Sequence, residues 1–286
     1  MKVEAYAKVN LTLEVFGERS DGYHALRSVV MPISLADTLE IEPTADGTIS
    51  SDTGYADDLC VRAAKALRRG ADAGRETRDA NLRGARISVT KRIPVGGGLG
   101  GGSADAAAVI TGLNELYGEP LSESELILLA EKLGADVPFA VFGGTAAAFG
   151  KGERLSRISD NGERIYLILK PLCGVSTPEA FALYDRLPRK KSGDMDALIA
   201  ALGKGDEKEI AEGVYNALTE AGKTLSGGVG EALGFLRGQK GCEAAFMTGS
   251  GSACVGIFHD ENDIKSAQKA AVMRGFAVFI AKKLRR

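Results

Sequence analysis

Tryptophan is absent and histidine occurs only twice. The four cysteines, Cys60, Cys173, Cys242 and Cys254, lie far apart, with no Cys-x-x-Cys or His-x-x-x-His spacing. That scarcity argues against a zinc framework and leaves buried free thiols in a reducing cytoplasm as the expectation. No run reaches the roughly 18 apolar residues of a membrane-spanning helix. The opening MKVEAYAKVN has no apolar core of a secretory signal, so a cytoplasmic chain without a membrane partner is expected. An excess of one charge is also missing: 36 basic and 38 acidic residues leave a net charge of -2. Nothing there supports a nucleic-acid partner. Internal repeats and low-complexity tracts are lacking, and no residue pattern fixes an oligomeric state. What remains is 286 residues, 44 % hydrophobic and 26 % charged, enough for a sizeable core and for two domains.

The first segment alternates strictly. Val3, Ala5, Ala7, Val9, Leu11, Leu13 and Val15 are apolar, with Glu4, Tyr6, Lys8, Asn10, Thr12 and Glu14 between them. Period two predicts a long, half-buried strand with Lys8 and Asn10 on its polar face. Asp21-Gly22 marks a turn, and 26–33 and 37–43 read as two further strands. A helix is predicted from Asp57 or Asp58 to Gly70, then a polar surface loop to Gly84, then a strand over 85–91. Helices follow from a Ser103 N-cap to Gly118, and from a Ser122/Glu125 capping box to Gly134. A weak strand is expected within 143–150. The polar, turn-rich stretch 150–164 predicts a boundary between an N-terminal domain, 1–155, and a C-terminal domain, 156–286. Beyond it the pattern gives a strand at 165–170 and helices at 178–186, 194–202, 206–221 and 226–237. Strands at 243–247 and 254–258 flank a Gly/Ser turn, and a helix at 263–274 and a final strand close the chain. The mixture predicts an α+β fold.

The densest punctuation is IPVGGGLGGGSAD, with six glycines and one leucine between Val95 and Ser103. Gly96, Gly98 and Gly101 fit the dinucleotide spacing G-x-G-x-x-G, but two helical patterns follow where a second parallel strand is required. A Walker loop needs Gly-Lys-Ser/Thr, and here Gly102 and Ser103 are adjacent with no lysine. The physical reading is a strand feeding a loop of bare N–H groups that opens a long helix, a cradle for an anion. One helix dipole contributes only about 0.3–2 kcal/mol, so a triphosphate needs many N–H contacts and cations besides.

Pro94, Gly98, Leu99, Gly100, Gly102, Ser103 and Ala104 resemble the P-x-x-x-G-L-G-G/S-S/G-S-A signature of the GHMP kinase superfamily. AYAKVNLTLEV, RSDGYHALRSVV, LGADVPF and MTGSGSA stand in the order of its branch that acts on a cytidine-diphosphate-linked methylerythritol, in the non-mevalonate route to isoprenoid precursors. The resemblance implies a two-domain fold, with an N-terminal domain like ribosomal protein S5 domain 2 and a ferredoxin-like C-terminal domain. It implies transfer of the ATP γ-phosphoryl group to the acceptor's 2-hydroxyl. Lys8 and Asp136 are then the catalytic pair, the lysine keeping the aspartate ionised. ATP falls to Pro94, Val95, Gly96, Gly97, Gly98, Leu99, Gly100, Gly101, Gly102, Ser103 and Ala104, with Lys91 near the adenine. Asn10, Tyr23, His24, Thr177 and Phe181 are implied in the substrate pocket, with Tyr23 and Phe181 stacking on the cytosine and His24 bonding its edge. Asp58 departs from the asparagine common there and lacks the amide donors an adenine contact would use. The 248–253 turn is implied to face the active site. Mg²⁺ is expected with ATP, because it neutralises β- and γ-phosphate charge. Mevalonate- or homoserine-type kinases are the alternatives within the superfamily, although neither substrate offers a base for Tyr23 and His24. A non-catalytic nucleotide-binding protein is the alternative outside catalysis, and intact Lys8 and Asp136 speak against it.

Overall fold

The structure is a computed structural model that describes residues 1–73, 84–188 and 192–284. It divides into two compact units that alternate along the chain: Met1–Ala7, Ala36–Ile93 and Gly100–Gly143 in the first, Lys8–Leu35, Pro94–Leu99 and Gly144–Arg286 in the second. Strands β1 (Lys2–Glu18) and β2 (His24–Thr44) contribute to both. Among the described residues no helix is long and apolar enough to cross a membrane.

The first unit adds β3 (Ile49–Ser51), α1 (Leu59–Ala73), β4 (Gly84–Thr90), α2 (Gly101–Leu116), α3 (Glu123–Ala130) and α4 (Val137–Phe142). β4 pairs antiparallel with β2, from Thr38 opposite Thr90 to Thr44 opposite Gly84, and parallel with β3. Leu39, Ile41, Ala85 and Ile87 bury themselves against Ala63, Leu67 and the alanine-rich face of α2. Small residues let that helix lie close: a Cβ on Gly112 would stand 3.0 Å from Ile41 Cδ1. The Ser122/Glu125 capping box forms as expected, whereas α3 ends at Ala130, short of Gly134. Asp58 Oδ1 accepts the Cys60 N–H at 2.8 Å, which sets the start of α1. That helix continues through Gly70 to Ala73, and the rest of the loop predicted to Gly84 lies outside the described residues.

The second unit holds β5 (Ala146–Gly150), β6 (Arg154–Arg157), β7 (Ile165–Lys170), α5 (Thr177–Arg186), α6 (Met195–Lys204), α7 (Glu207–Gly213), β8 (Tyr215–Asn216), α8 (Thr219–Leu225), α9 (Gly227–Arg237), β9 (Ala244–Met247), β10 (Cys254–Phe258), α10 (Glu261–Met273) and β11 (Ala277–Lys282). β11, β7, β10 and β9 form, in that order, an antiparallel sheet. With α9 and α10 packed on it, this is the β-α-β-β-α-β pattern of a ferredoxin-like layer. Leu167, Leu169, Phe258, Leu233, Leu236, Ile264 and Ala267 make its core.

Three further expectations fail here for identifiable reasons. Residues 26–33 and 37–43 belong to one strand, β2. Pro32 removes a ladder donor without ending it, because Ile33 bridges to Lys283 and the Ser34 hydroxyl accepts the Lys282 N–H at 2.9 Å. The helix predicted over 206–221 is broken at Tyr215–Asn216, which pair with Thr12 and Leu13 of β1. Lastly, β1 is half-buried only before Lys8. Its alternation is right, but Lys8, Asn10, Thr12 and Glu14 are buried as deeply as the apolar residues between them.

Candidate active site

Four polar side chains on one face of a strand are costly to bury without partners, so their hydrogen bonds outline what covers them. Lys8 is 6 % exposed, and its Nζ donates to Asn10 Oδ1 at 2.7 Å. The Asn10 amide donates onward to Ser28 Oγ at 2.8 Å, and the Asn10 N–H to Thr248 Oγ1 at 3.0 Å. Glu14 Oε1 accepts the Met195 N–H at 2.8 Å. The polar face of β1 is therefore lined by β2, by the 248–253 turn and by the start of α6. Asn216, which broke the predicted helix, anchors that turn. Its amide donates to the carbonyls of Met247 and Gly249 at 2.7 and 2.9 Å, while its Oδ1 accepts the Leu218 N–H.

The glycine loop divides between the two units. Pro94–Leu99 lie in the second, where the Lys8 N–H donates to Leu99 O at 3.0 Å. The Ser252 and Ala253 N–H groups donate to Gly96 O and Gly97 O, at 3.4 and 3.2 Å. Gly96 and Gly98 have φ of 67° and 73°, a region that disfavours any Cβ. A Cβ on Gly98 would also collide with Thr248 O, and one on Gly249 would stand 2.8 Å from Gly98 O. Part of the glycine content thus serves the approach of two loops, a use the sequence reading did not assign. Leu99 is buried, whereas Val95 is exposed. Gly98→Ala is expected to lower stability by about 1–3 kcal/mol through strain and collision. Gly102→Ala, inside α2 with nothing within 4 Å of its Cβ, is expected to raise it by about 0.5–1 kcal/mol. Paired thermal melts check the contrast.

In the first unit Gly100, at φ 71° and ψ 21°, caps α2 without a side chain, and Ser103 is the third residue of the helix. The expected Ser103 cap is therefore incorrect. The left-handed glycine turns the chain into the helix, and the first N–H groups receive no side-chain oxygen. Such an end is suited to an anion. Asp136 is exposed at the N-cap of α4, yet its carboxylate caps nothing there.

Lys91 stands at the end of β4 in a cluster that spacing did not reveal. Its Nζ donates to Asp37 Oδ2 and Asp105 Oδ2, both at 2.5 Å. Asp37, fully buried, also accepts the N–H groups of Arg92 and Ile93 at 2.5 and 2.8 Å. One carboxylate of β2 thus holds the chain just before the glycine loop, and through Lys91 it also holds α2. Burial alone would lower the Lys91 pKa, but its bonds to Asp105 and Asp37 raise it on balance. One ammonium cannot offset two buried carboxylates, and the shortfall falls on Asp105. Burial, opposed by Lys91 and reinforced by Asp37, pushes it up to about 7. Asp105 Oδ1 has no hydrogen-bond partner, consistent with a carboxyl that keeps its proton. An acid whose pKa rises on folding stabilises the fold fully below its unfolded value, about pH 4, and loses that contribution as pH climbs through about 7. The melting temperature is expected to fall between about pH 5 and about pH 8, and Asp105→Asn to flatten that part of the profile.

Around the predicted substrate pocket, the Phe181 ring stacks on His24, with centroids 4.8 Å apart and planes at 27°. His24 Nε2 lies 3.0 Å from both carboxylate oxygens of Asp185. With the proton on Nε2, Nδ1 is left as an acceptor. Asp185, four residues after Phe181 on α5, was not anticipated, although that spacing puts both on one helix face. Tyr23 is exposed, with the Lys151 ammonium 4.9 Å from its ring centroid. The Thr177 hydroxyl meets that of Ser250 at 2.7 Å, tying the start of α5 to the 248–253 turn.

Two families match the chain: GHMP kinases N terminal domain over residues 58–144 and GHMP kinases C terminal over 198–273. A 4-diphosphocytidyl-2-C-methyl-D-erythritol kinase of Pelotomaculum thermopropionicum is 41 % identical over 273 residues, covering 93 % of this chain and 91 % of the relative. A crystal structure of 4-(cytidine 5'-diphospho)-2C-methyl-D-erythritol kinase superposes with a TM-score of 0.81 at 33 % identity, covering 99 % of this chain and 98 % of that one. Homoserine kinase from Cytophaga hutchinsonii superposes with a TM-score of 0.75, covering 99 % and 94 %, but at 17 % identity that likeness concerns the fold alone.

Proposed function

Because the chain belongs to the GHMP kinases, and within them to the 4-diphosphocytidyl-2-C-methyl-D-erythritol kinase family, we infer that it moves the γ-phosphoryl group of ATP to the 2-hydroxyl of 4-(cytidine 5'-diphospho)-2-C-methyl-D-erythritol, a step toward isoprenoid precursors. The observation that carries this reading is the near-full-length likeness at 41 % identity. The family domains fall on either side of residue 155, which supports an N-terminal ATP-binding domain over 1–155 and a C-terminal domain over 156–286.

Phosphoryl transfer needs little covalent help and much positioning and charge. The residues divide accordingly. Backbone N–H groups of Val95–Ala104 receive the phosphates, with Pro94 fixing the approach to them. Lys91 is held on Asp37 and Asp105, so its part is to brace the loop next to the adenine. Lys8, aligned by Asn10, neutralises charge that builds on the transferring group. Asp136 accepts the proton of the acceptor hydroxyl as the new P–O bond forms, which a positioned carboxylate can do late in the reaction. Tyr23 and Phe181 offer faces for the cytosine, His24 an acceptor for its amino group, and Thr177 and Asn10 polar edges for the remainder. Among the described residues no group of three or more His, Cys, Asp or Glu side chains is placed to hold a metal. Mg²⁺ needs no such cluster, since it is commonly held by one or two carboxylates together with the substrate's phosphates. When bound, Mg²⁺ supplies neutralisation of the β- and γ-phosphates.

A coupled assay of ADP release, with the cytidine-diphosphate substrate beside mevalonate and homoserine, tests the acceptor. Release with the cytidine compound alone is expected. Release with mevalonate alone would leave a kinase with the acceptor misassigned.

A further inference from the structure

We propose that Lys170 is a phosphate-binding residue of the glycine loop, supplying to a nucleoside di- or triphosphate a positive charge that the loop does not carry itself. The proposal rests on the nucleotide-binding reading above and adds a residue to it.

Lys170 is the last residue of β7 and only 8 % exposed. Its Nζ donates to Pro171 O at 2.6 Å, and among the described residues it forms no ion pair. An ammonium has three donors, so one carbonyl leaves it short of partners. Burying a charge without a counter-ion is among the more expensive features a fold can retain. Fully buried Arg164, by contrast, is matched by Asp160 and Glu207, and the more exposed Lys91 by Asp37 and Asp105. Burial accordingly draws the Lys170 pKa below its ordinary value, with Cys173 acting weakly the other way.

What lies beside this unmatched charge is the loop. A Cβ on Gly97 would stand 3.5 Å from Lys170 Cδ, so the lysine stem packs on the loop backbone. The segment after Lys170 is fastened to the same corner of the second unit. A Cβ on Gly174 would lie 3.6 Å from Gly96 O, and Ser252 Oγ donates to Cys173 O at 2.8 Å. Ser252 N–H in turn donates to Gly96 O. In loops of the Gly-Lys-Ser type the lysine comes from the loop. Here GGGLGGGS has none, and Lys91, just ahead of it, is spent on two carboxylates. An anion at the loop would give Lys170 the counter-charge that the protein withholds.

The test is calorimetric titration of the full chain with ADP and with adenosine, which has the base and sugar but no phosphate. Lys170→Gln keeps a donor for Pro171 O while removing the charge, and Lys170→Met removes both. Both variants are expected to bind ADP about tenfold or more weakly, and adenosine within about twofold of wild type. Salt is expected to weaken ADP binding more in wild type than in Lys170→Gln. Unchanged ADP affinity, or ADP and adenosine falling together, overturns the proposal, since the second result is what a purely structural lysine gives. Wild type that fails to bind ADP at all would instead overturn the nucleotide reading beneath it.

Discussion

Asp136→Asn is expected to reduce turnover by about 10²–10⁴-fold while leaving the ATP KM near wild type. The side chain is exposed at the start of α4 and the amide is isosteric with the carboxylate, so the fold is expected to stay intact. What the amide cannot do is accept a proton. The acceptor alcohol is then left to lose its proton to water as the phosphoryl group arrives, and the loss appears in kcat. Steady-state kinetics with ATP and acceptor varied separately make the check. Near-normal turnover would remove Asp136 from the chemistry, and a large rise in ATP KM would make it a binding residue.

The second large effect is expected at Lys8. Lys8→Met retains the stem but removes the charge and the hydrogen bond to Asn10 Oδ1. Removing one preorganised charge-stabilising group costs about 10²–10³ in kcat. Lys8→Arg is expected not to rescue it, because the site is buried and a guanidinium has a different shape and reach. The Lys8 and Asp136 variants separate through Asn10. Losing Lys8 also loosens the Asn10 amide on Ser28, so the acceptor KM should rise with Lys8→Met but not with Asp136→Asn.

Much of this frame was legible because its causes are local. The alternation of Val3 to Val15 marked β1, and the Ser122/Glu125 spacing marked the start of α3. Misreadings arose where the cause lies far along the chain. Lys8 and Asn10 look like a solvated face until Ser28, Met195 and Thr248 cover it, at separations that periodicity does not sample. Asn216 reads as an ordinary helical residue, yet its amide is committed to the carbonyls of residues 247 and 249. Ser103 has the right chemistry for a cap, but Gly100 reaches the required backbone turn first. Asp37, in the plain strand sequence LADTLE, carried no sign that it holds the chain at Arg92 and Ile93. The glycine loop announced itself, but only half of its explanation was visible. The missing side chains leave N–H groups bare, and they also let Gly98 and Gly249 touch.

Transfer of the phosphoryl group to a hydroxyl of the intact cytidine compound is the claim on which the rest depends, and ³¹P NMR of the reaction product reads it directly. With ATP and 4-(cytidine 5'-diphospho)-2-C-methyl-D-erythritol, one new phosphomonoester resonance is expected, coupled to no second phosphorus. The two diphosphate resonances of the cytidine compound should persist, and ADP should appear in equal amount. Loss of the diphosphate pair, or ADP with inorganic phosphate and no new ester, would contradict it.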